Sequence, residues 1–158
     1  MTMPLKGFSP QKLRVLREER ANGISSRQLS IRAGFPRPYG EVGKWESGLS
    51  TPSLKRLRVL ADILGCSPRD LFDVQRGEEE LVHLRTWAGL SSEEVALHVK
   101  ISYVAYRKLE QGVALDRSIL GAHQWKRLAQ VLGVDEEEAR AAWRHSSLLR
   151  SRKRSWSM

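Results

Sequence analysis

Residues 16 to 48 read LREERANGISSRQLSIRAGFPRPYGEVGKWESG, and residues 84 to 112 read LRTWAGLSSEEVALHVKISYVAYRKLEQG. Both stretches run Leu-Arg, then Gly-Ile/Leu-Ser-Ser, an apolar residue four positions on, a break, a second short helical stretch, and apolar-Glu-x-Gly. A pattern of this length that occurs twice constrains the fold strongly, because each copy must bury the same apolar positions in the same way. The offset between copies drifts from 68 at Leu16/Leu84 to 66 at Leu29/Val95 and 64 at Glu46/Glu110. The changes fall in turns and at helix ends, where insertions are tolerated. That distribution favours a structural duplication over chance similarity.

With 158 residues, the chain has room for two such units of roughly 70 residues, each large enough for a small helical core. Lys and Arg number 27 against 18 Asp and Glu, a formal net charge of +9. A balance of this sign suits a polyanion, and nucleic acid is the commonest. One cysteine, Cys66, excludes an internal disulfide and any multi-cysteine metal site. It follows Gly65 and reads as a small packing residue. His83, His98, His123 and His145 lack metal-ligand spacing, so no metal or cofactor is expected. MTMPLKGFSP holds no long apolar run, and no window approaches 18 apolar residues. The expectation is therefore no signal peptide and no membrane span.

Helix signals punctuate the chain. Ser9-Pro10 opens a first helix that Asn22-Gly23 ends. Ser25 caps a second helix with Leu29 inward, and Gly34 marks a turn. A third helix is expected from about Tyr39 to Ser47. A fourth starts at Thr51-Pro52-Ser53 and carries the apolar stripe Leu54, Leu57, Leu60, Ala61 and Leu64 up to Gly65. Ser67-Pro68 opens a short fifth through Phe72. Residues 73 to 79, DVQRGEE, are polar and mark the boundary, which gives domains 1–76 and 77–158. The second copy then predicts helices over about 79–87, 92–99, 102–111 and 122–132. A last helix starts near Asp135, where four consecutive acidic residues suit the positive end of the helix dipole. It runs past Trp143 toward Leu149. No segment alternates with period two, so the chain reads as all-α, two tandem five-helix units. The first core should gather Leu13, Leu16, Leu29, Trp45, Leu57, Leu60 and Leu64; the second, Leu84, Val95, Ile101, Leu109, Leu128 and Leu132.

Both copies resemble the Cro and lambda-repressor-type helix-turn-helix regulators, also called the xenobiotic-response-element family, over about residues 9–72 and 79–138. In the second copy Arg85, Gly89, Leu90, Ser91, Glu94, Val95, Ala96, Ile101, Ser102, Leu109, Glu110 and Gly112 stand at the family's spacing. Lys100 departs from it, because the turn usually has glycine there. The first copy departs more, with two prolines and two glycines in PRPYGEVG at the start of its third helix. The resemblance implies two lambda-repressor-like domains that bind double-stranded DNA through their third helices. By position it assigns base-facing roles to Ser102, Tyr103, Val104 and Lys108, and to Pro38, Tyr39, Gly40 and Lys44. Arg37 and Arg107 lie beside these and could reach a phosphate or a guanine edge. The starts of the second helices, at Ser26, Arg27 and Ser92, offer backbone N–H groups to phosphate. Tyr103 is expected to face DNA because Ile101 and Leu109 already fill the inward positions. Trp45 and Leu109 are expected in the core. Arg17 with Glu46, and Arg85 with Glu110, resemble the family's structural ion pair.

Charge separates the copies. Residues 1–76 hold 14 basic and 7 acidic residues, residues 77–134 hold 7 of each, and the remainder is +2. Field supplies affinity and motif supplies readout, so both copies are expected to touch DNA. The reading is a sequence-specific transcriptional regulator, a repressor of bacterial or phage type in the cytoplasm, with no catalytic residues. The alternative is a protein-binding adaptor in which one copy serves as a docking or dimerisation surface for a second copy or another protein. An antitoxin that represses its own operon would combine the two. The basic tail SRKRS at 151–155 reads either as a phosphate contact or as a solvated end.

Overall fold

The computed structural model describes residues 4–36, 40–113 and 120–157. The chain forms two compact units, Met1–Asp73 and Val74–Met158. Among the described residues there are nine α-helices, one 3-10 helix and a single isolated bridge between Phe8 and Phe72, with no strand.

The first unit holds α1 (Pro10–Arg20), α2 (Ser26–Arg32), α3 (Glu41–Glu46) and α4 (Leu54–Leu64). Serine hydroxyls start three of these. Ser9 Oγ accepts from the Lys12 N–H, Ser25 Oγ from Gln28, and Ser53 Oγ from Arg56. Each satisfies a backbone donor that the helix cannot use itself. The Gln28 side chain in turn accepts from the Ser25 N–H at 2.8 Å, which completes a capping box. The expected fifth helix is a 3-10 helix, Pro68–Leu71, and Phe72 is already extended. The unit is closed on itself near its ends: Ser9 N–H donates to Leu71 O and Asp73 N–H to Gly7 O, both at 2.8 Å. The Phe8 and Phe72 rings meet edge to face beside these bonds.

The second unit holds α5 (Leu81–Trp87), α6 (Ser92–Val99), α7 (Tyr103–Glu110), α8 (Ala122–Leu132) and α9 (Glu136–Ser155). Ser91, Ser102 and Asp135 cap α6, α7 and α9 through side-chain oxygens. The buried His83 is structural: its Nδ1 accepts from the Glu80 N–H at 3.0 Å and helps start α5. Lys100 adopts the left-handed conformation, φ 62°, that a glycine would otherwise supply at the α6–α7 turn. α9 is longer than expected. It continues through the SRKRS stretch, because no glycine or proline follows Gly133 to stop it.

The two cores contain nearly all the expected residues, and more. Leu13, Leu29, Trp45, Leu57, Leu60 and Leu64 are buried in the first, joined by Val42, Leu71 and Phe72. Leu16 is only half-buried, although its counterpart Leu84 is buried. In the second core Leu84, Val95, Leu109, Leu128 and Leu132 are buried with Tyr106, Trp125, Ala139 and Ala142, and Ile101 packs against the edge.

Gly112, just beyond α7, has φ 75°, and a Cβ placed on it would lie 2.5 Å from the backbone of Ser146 and Ser147 in α9. Gly133, which ends α8, has φ 70° and open space around it. Gly133→Ala should cost about 1–2 kcal/mol for the left-handed backbone. Gly112→Ala should cost about 1–3 kcal/mol more, because backbone must move to admit the methyl group. Denaturant unfolding of the two variants checks this ordering, and equal losses would mean α9 yields freely at that crossing.

Candidate nucleic-acid interface

In each unit an arginine from the first helix reaches a glutamate at the end of the third. Arg17 Nε donates to Glu46 Oε1 at 2.6 Å and its Nη2 to Oε2 at 3.1 Å. The remaining Nη1 donates to the Ile24 carbonyl at 2.7 Å. Arg85 repeats the arrangement, with Nε and Nη2 on Glu110 and Nη1 on the Leu90 carbonyl. Each guanidinium therefore ties the first helix, the loop into the second helix, and the end of the third. The fork geometry of arginine suits this task, and lysine could not reproduce it. Hydrogen bonding and charge from Glu46 raise the Arg17 pKa above its ordinary value. Burial works against the charge on Arg85, but Glu110 outweighs it, and the pKa is again raised.

The second pair is more deeply set. The Glu110 side chain is 4% exposed, against 11% for Glu46. Glu110 accepts two further hydrogen bonds, from the Tyr106 hydroxyl at 3.3 Å and from Arg107 Nη1 at 3.2 Å. Burial, then the Glu110 charge, pushes the Tyr106 pKa far up, so its hydroxyl keeps its proton and remains a donor. Tyr106 corresponds by position to Val42 and Arg107 to Gly43, so the first unit has no such network at these positions. The periodicity of α7 could have placed Tyr106 inward, since Ser102, Tyr106 and Glu110 stand four apart on one face.

The helix bearing that glutamate presents its other face to solvent. In α7, Tyr103 is 46% and Val104 60% exposed, and Lys108 is exposed as well. Ser102 lies at the same end, but its hydroxyl is engaged in capping Ala105. Arg107 is half-buried and turned toward Glu110, so the scaffold already holds the guanidinium that the sequence suggested for DNA. In α3, Lys44 is exposed, and Gly40 caps the helix start with φ 90°. Arg37, Pro38 and Tyr39 lie outside the described residues. Arg56 of α4 pairs with Glu41 at the first turn of α3 and lies over the Phe35 ring, 5.1 Å from its centroid. This anchors the start of α3 from a second side.

The starts of α2 and α6 differ electrically. α2 has no acidic residue in its first turn; Ser26 is half-buried there and Arg27 is exposed. α6 carries Glu93 and Glu94, and Ser92 is buried with its hydroxyl toward Glu93. The Ser91 N–H holds the Glu94 carboxyl below its ordinary pKa, so it is anionic at neutral pH. That carboxylate already occupies the helix N-terminus and opposes a phosphate there. Of the two helix starts, both closed by capping boxes, that of α2 carries no carboxylate in its first turn and that of α6 carries two.

Residues 13–71 match the helix-turn-helix family model, and residues 79–142 match a second, also described as a helix-turn-helix domain. The chain is a tandem helix-turn-helix regulator of the Cro and lambda-repressor type. Its modules are DNA-binding modules. No curated protein and no solved structure matches the chain. Among the described residues of this regulator no helix is long and apolar enough to cross a membrane, and no cluster of three metal-ligating side chains occurs.

Glu110→Ala should lower stability by about 3–5 kcal/mol, because it leaves a largely buried guanidinium and a buried hydroxyl without this acceptor. Loss of DNA affinity should appear only where the variant is partly unfolded. Calorimetry beside DNA titration well below the transition temperature checks both parts. A thermally silent Glu110→Ala would show that the carboxylate does not hold α7 in place.

Proposed function

We propose that this regulator reads duplex DNA in the major groove with the exposed faces of α3 and α7, and represses transcription by occupying promoter DNA. The observation that carries the reading is the duplicated Arg–Glu clamp behind each third helix. It fixes the inner face of that helix while leaving Lys44 on one helix, and Tyr103, Val104 and Lys108 on the other, open to solvent. A helix held this way fits the groove, roughly 12 Å wide, without rearrangement. Val104 and Tyr103 suit apolar contact with a thymine methyl, and the lysines suit phosphate or a guanine edge. Tethering makes the second module's encounter with DNA intramolecular, which raises overall affinity when both sites are in reach. A polymerase-blocking role needs no catalytic group, and the protein acts as a cytoplasmic, non-enzymatic repressor of bacterial or phage type.

A second reading has its own support. The second unit is electrically balanced over residues 77–134, carries two carboxylates at the start of α6, and exposes Leu97 at 77%. These features suit a docking surface for a second copy or another protein better than they suit phosphate. Lys44→Ala and Lys108→Ala separate the readings. Where the lysine meets a phosphate, its removal should reduce the salt slope of binding by about 1 for every sequence. Where it meets a guanine edge, its removal should cost roughly 1–3 kcal/mol at one base pair. Weakened binding in both variants supports two reading heads. Weakened binding in Lys44→Ala alone assigns α7 to docking. No effect in either, with no salt-dependent binding by the intact chain, would contradict DNA recognition by these helices.

A further inference from the structure

The C-terminal end of α9 is a charged surface that the helix-turn-helix reading leaves unused. After Glu138 the chain contains no acidic residue, while Arg150, Arg152, Lys153 and Arg154 follow in the last two turns. Residues 151–157 are all exposed, so this part of the helix is held by its own backbone and by what precedes it. The preceding turn is firmly placed. Ser147 Oγ donates to the Gly112 carbonyl at 2.9 Å, and Gly112 has room only for a hydrogen against the Ser146–Ser147 peptide. Gly112 lies two residues beyond α7. The contact therefore locks α9 against the C-terminal end of the candidate reading helix.

Helical spacing decides which charges continue from that contact. Arg150 is four residues after Ser146 and three after Ser147. Lys153 and Arg154 are three and four after Arg150. These three fall on the face that touches Gly112, whereas Arg152 falls nearly opposite. With about 1.5 Å of rise per residue, Arg150 lies roughly 5 Å and Arg154 roughly 10 Å along the axis past the lock. When the N-terminal residues of an eight-residue helix such as α7 meet base edges, its other end lies roughly 12 Å away, toward the rim of the groove. The rim is lined by phosphates.

We propose that Arg150, Lys153 and Arg154 form a backbone clamp that grips the duplex phosphates flanking the element contacted by α7. The clamp adds affinity without sequence preference, and it gives the otherwise balanced second unit its electrostatic hold. It rests on the reading of α7 as a DNA-facing helix. Single variants test it in the intact chain, each removing one exposed charge from the same tail. Lys153→Gln or Arg154→Gln should reduce the slope of log affinity against log salt by about 0.9 and weaken selected and random duplexes alike. Arg152→Gln should leave the slope unchanged. Equal losses from Arg152→Gln and Arg154→Gln would overturn the clamp in favour of a diffuse tail, and unchanged slopes in all variants would overturn it outright. If Arg154→Gln instead abolishes capture by phosphatidylserine-containing vesicles while its duplex slope matches the intact chain, the surface serves a lipid and the clamp is wrong. An intact chain without salt-dependent duplex binding would refute the reading of α7 itself, an outcome distinguishable from loss of the clamp alone.

Discussion

A carboxylate near the end of the third helix, held by a forked guanidinium from the first, is the interaction on which each unit depends. The third helices are short: six residues for α3 and eight for α7. Helices of that length are not stable alone, so their position must come from tertiary contacts. Arg17 and Arg85 provide these by joining three segments at once, two through side chains and one through a main-chain carbonyl. Because the pair lies behind the helix, the outward face is free to differ between copies. The two copies share the clamp and differ at the surface.

The difference between surfaces follows from small substitutions around that shared frame. Where the first unit has Val42 and Gly43, the second has Tyr106 and Arg107, both turned onto Glu110. The second unit thereby commits a cation to its scaffold and reduces the charge available to a polyanion. Glu93 and Glu94 at α6 move it further in that direction. The first unit keeps a start to α2 without carboxylates, with Ser26 and Arg27, and a larger excess of basic residues. Charge and exposed helix surface are thus divided unevenly between two modules of the same fold. The basic end of α9 restores field to the second module from outside its helix-turn-helix.

Much of this was legible in the residues because the signals were local. Serine caps, glycine stops and the paired Leu-Arg and Glu-x-Gly motifs each depend on a few neighbouring positions, and α6 and α8 fall at the expected bounds. What the sequence concealed was set by tertiary contact. Arg107 reads as outward from its spacing, yet Glu110 takes it as a further donor. Ser92 reads as an open helix start, yet the residue is buried and its hydroxyl turns to Glu93. The 3-10 form of Pro68–Leu71 follows from the closing contacts of Leu71 and Phe72 with the segment before α1. The arginine-rich end reads equally well as a loose tail, because nothing in its composition reveals the lock at Gly112.

On the proposed reading, one chain carries two DNA-reading heads. Selection of bound fragments from random duplex DNA by the intact protein tests it most directly. With two reading heads, two enriched sequence elements should recur together in the same fragments. Recovery of a single element would contradict two reading heads, and a pool that stays random would contradict sequence-specific recognition altogether.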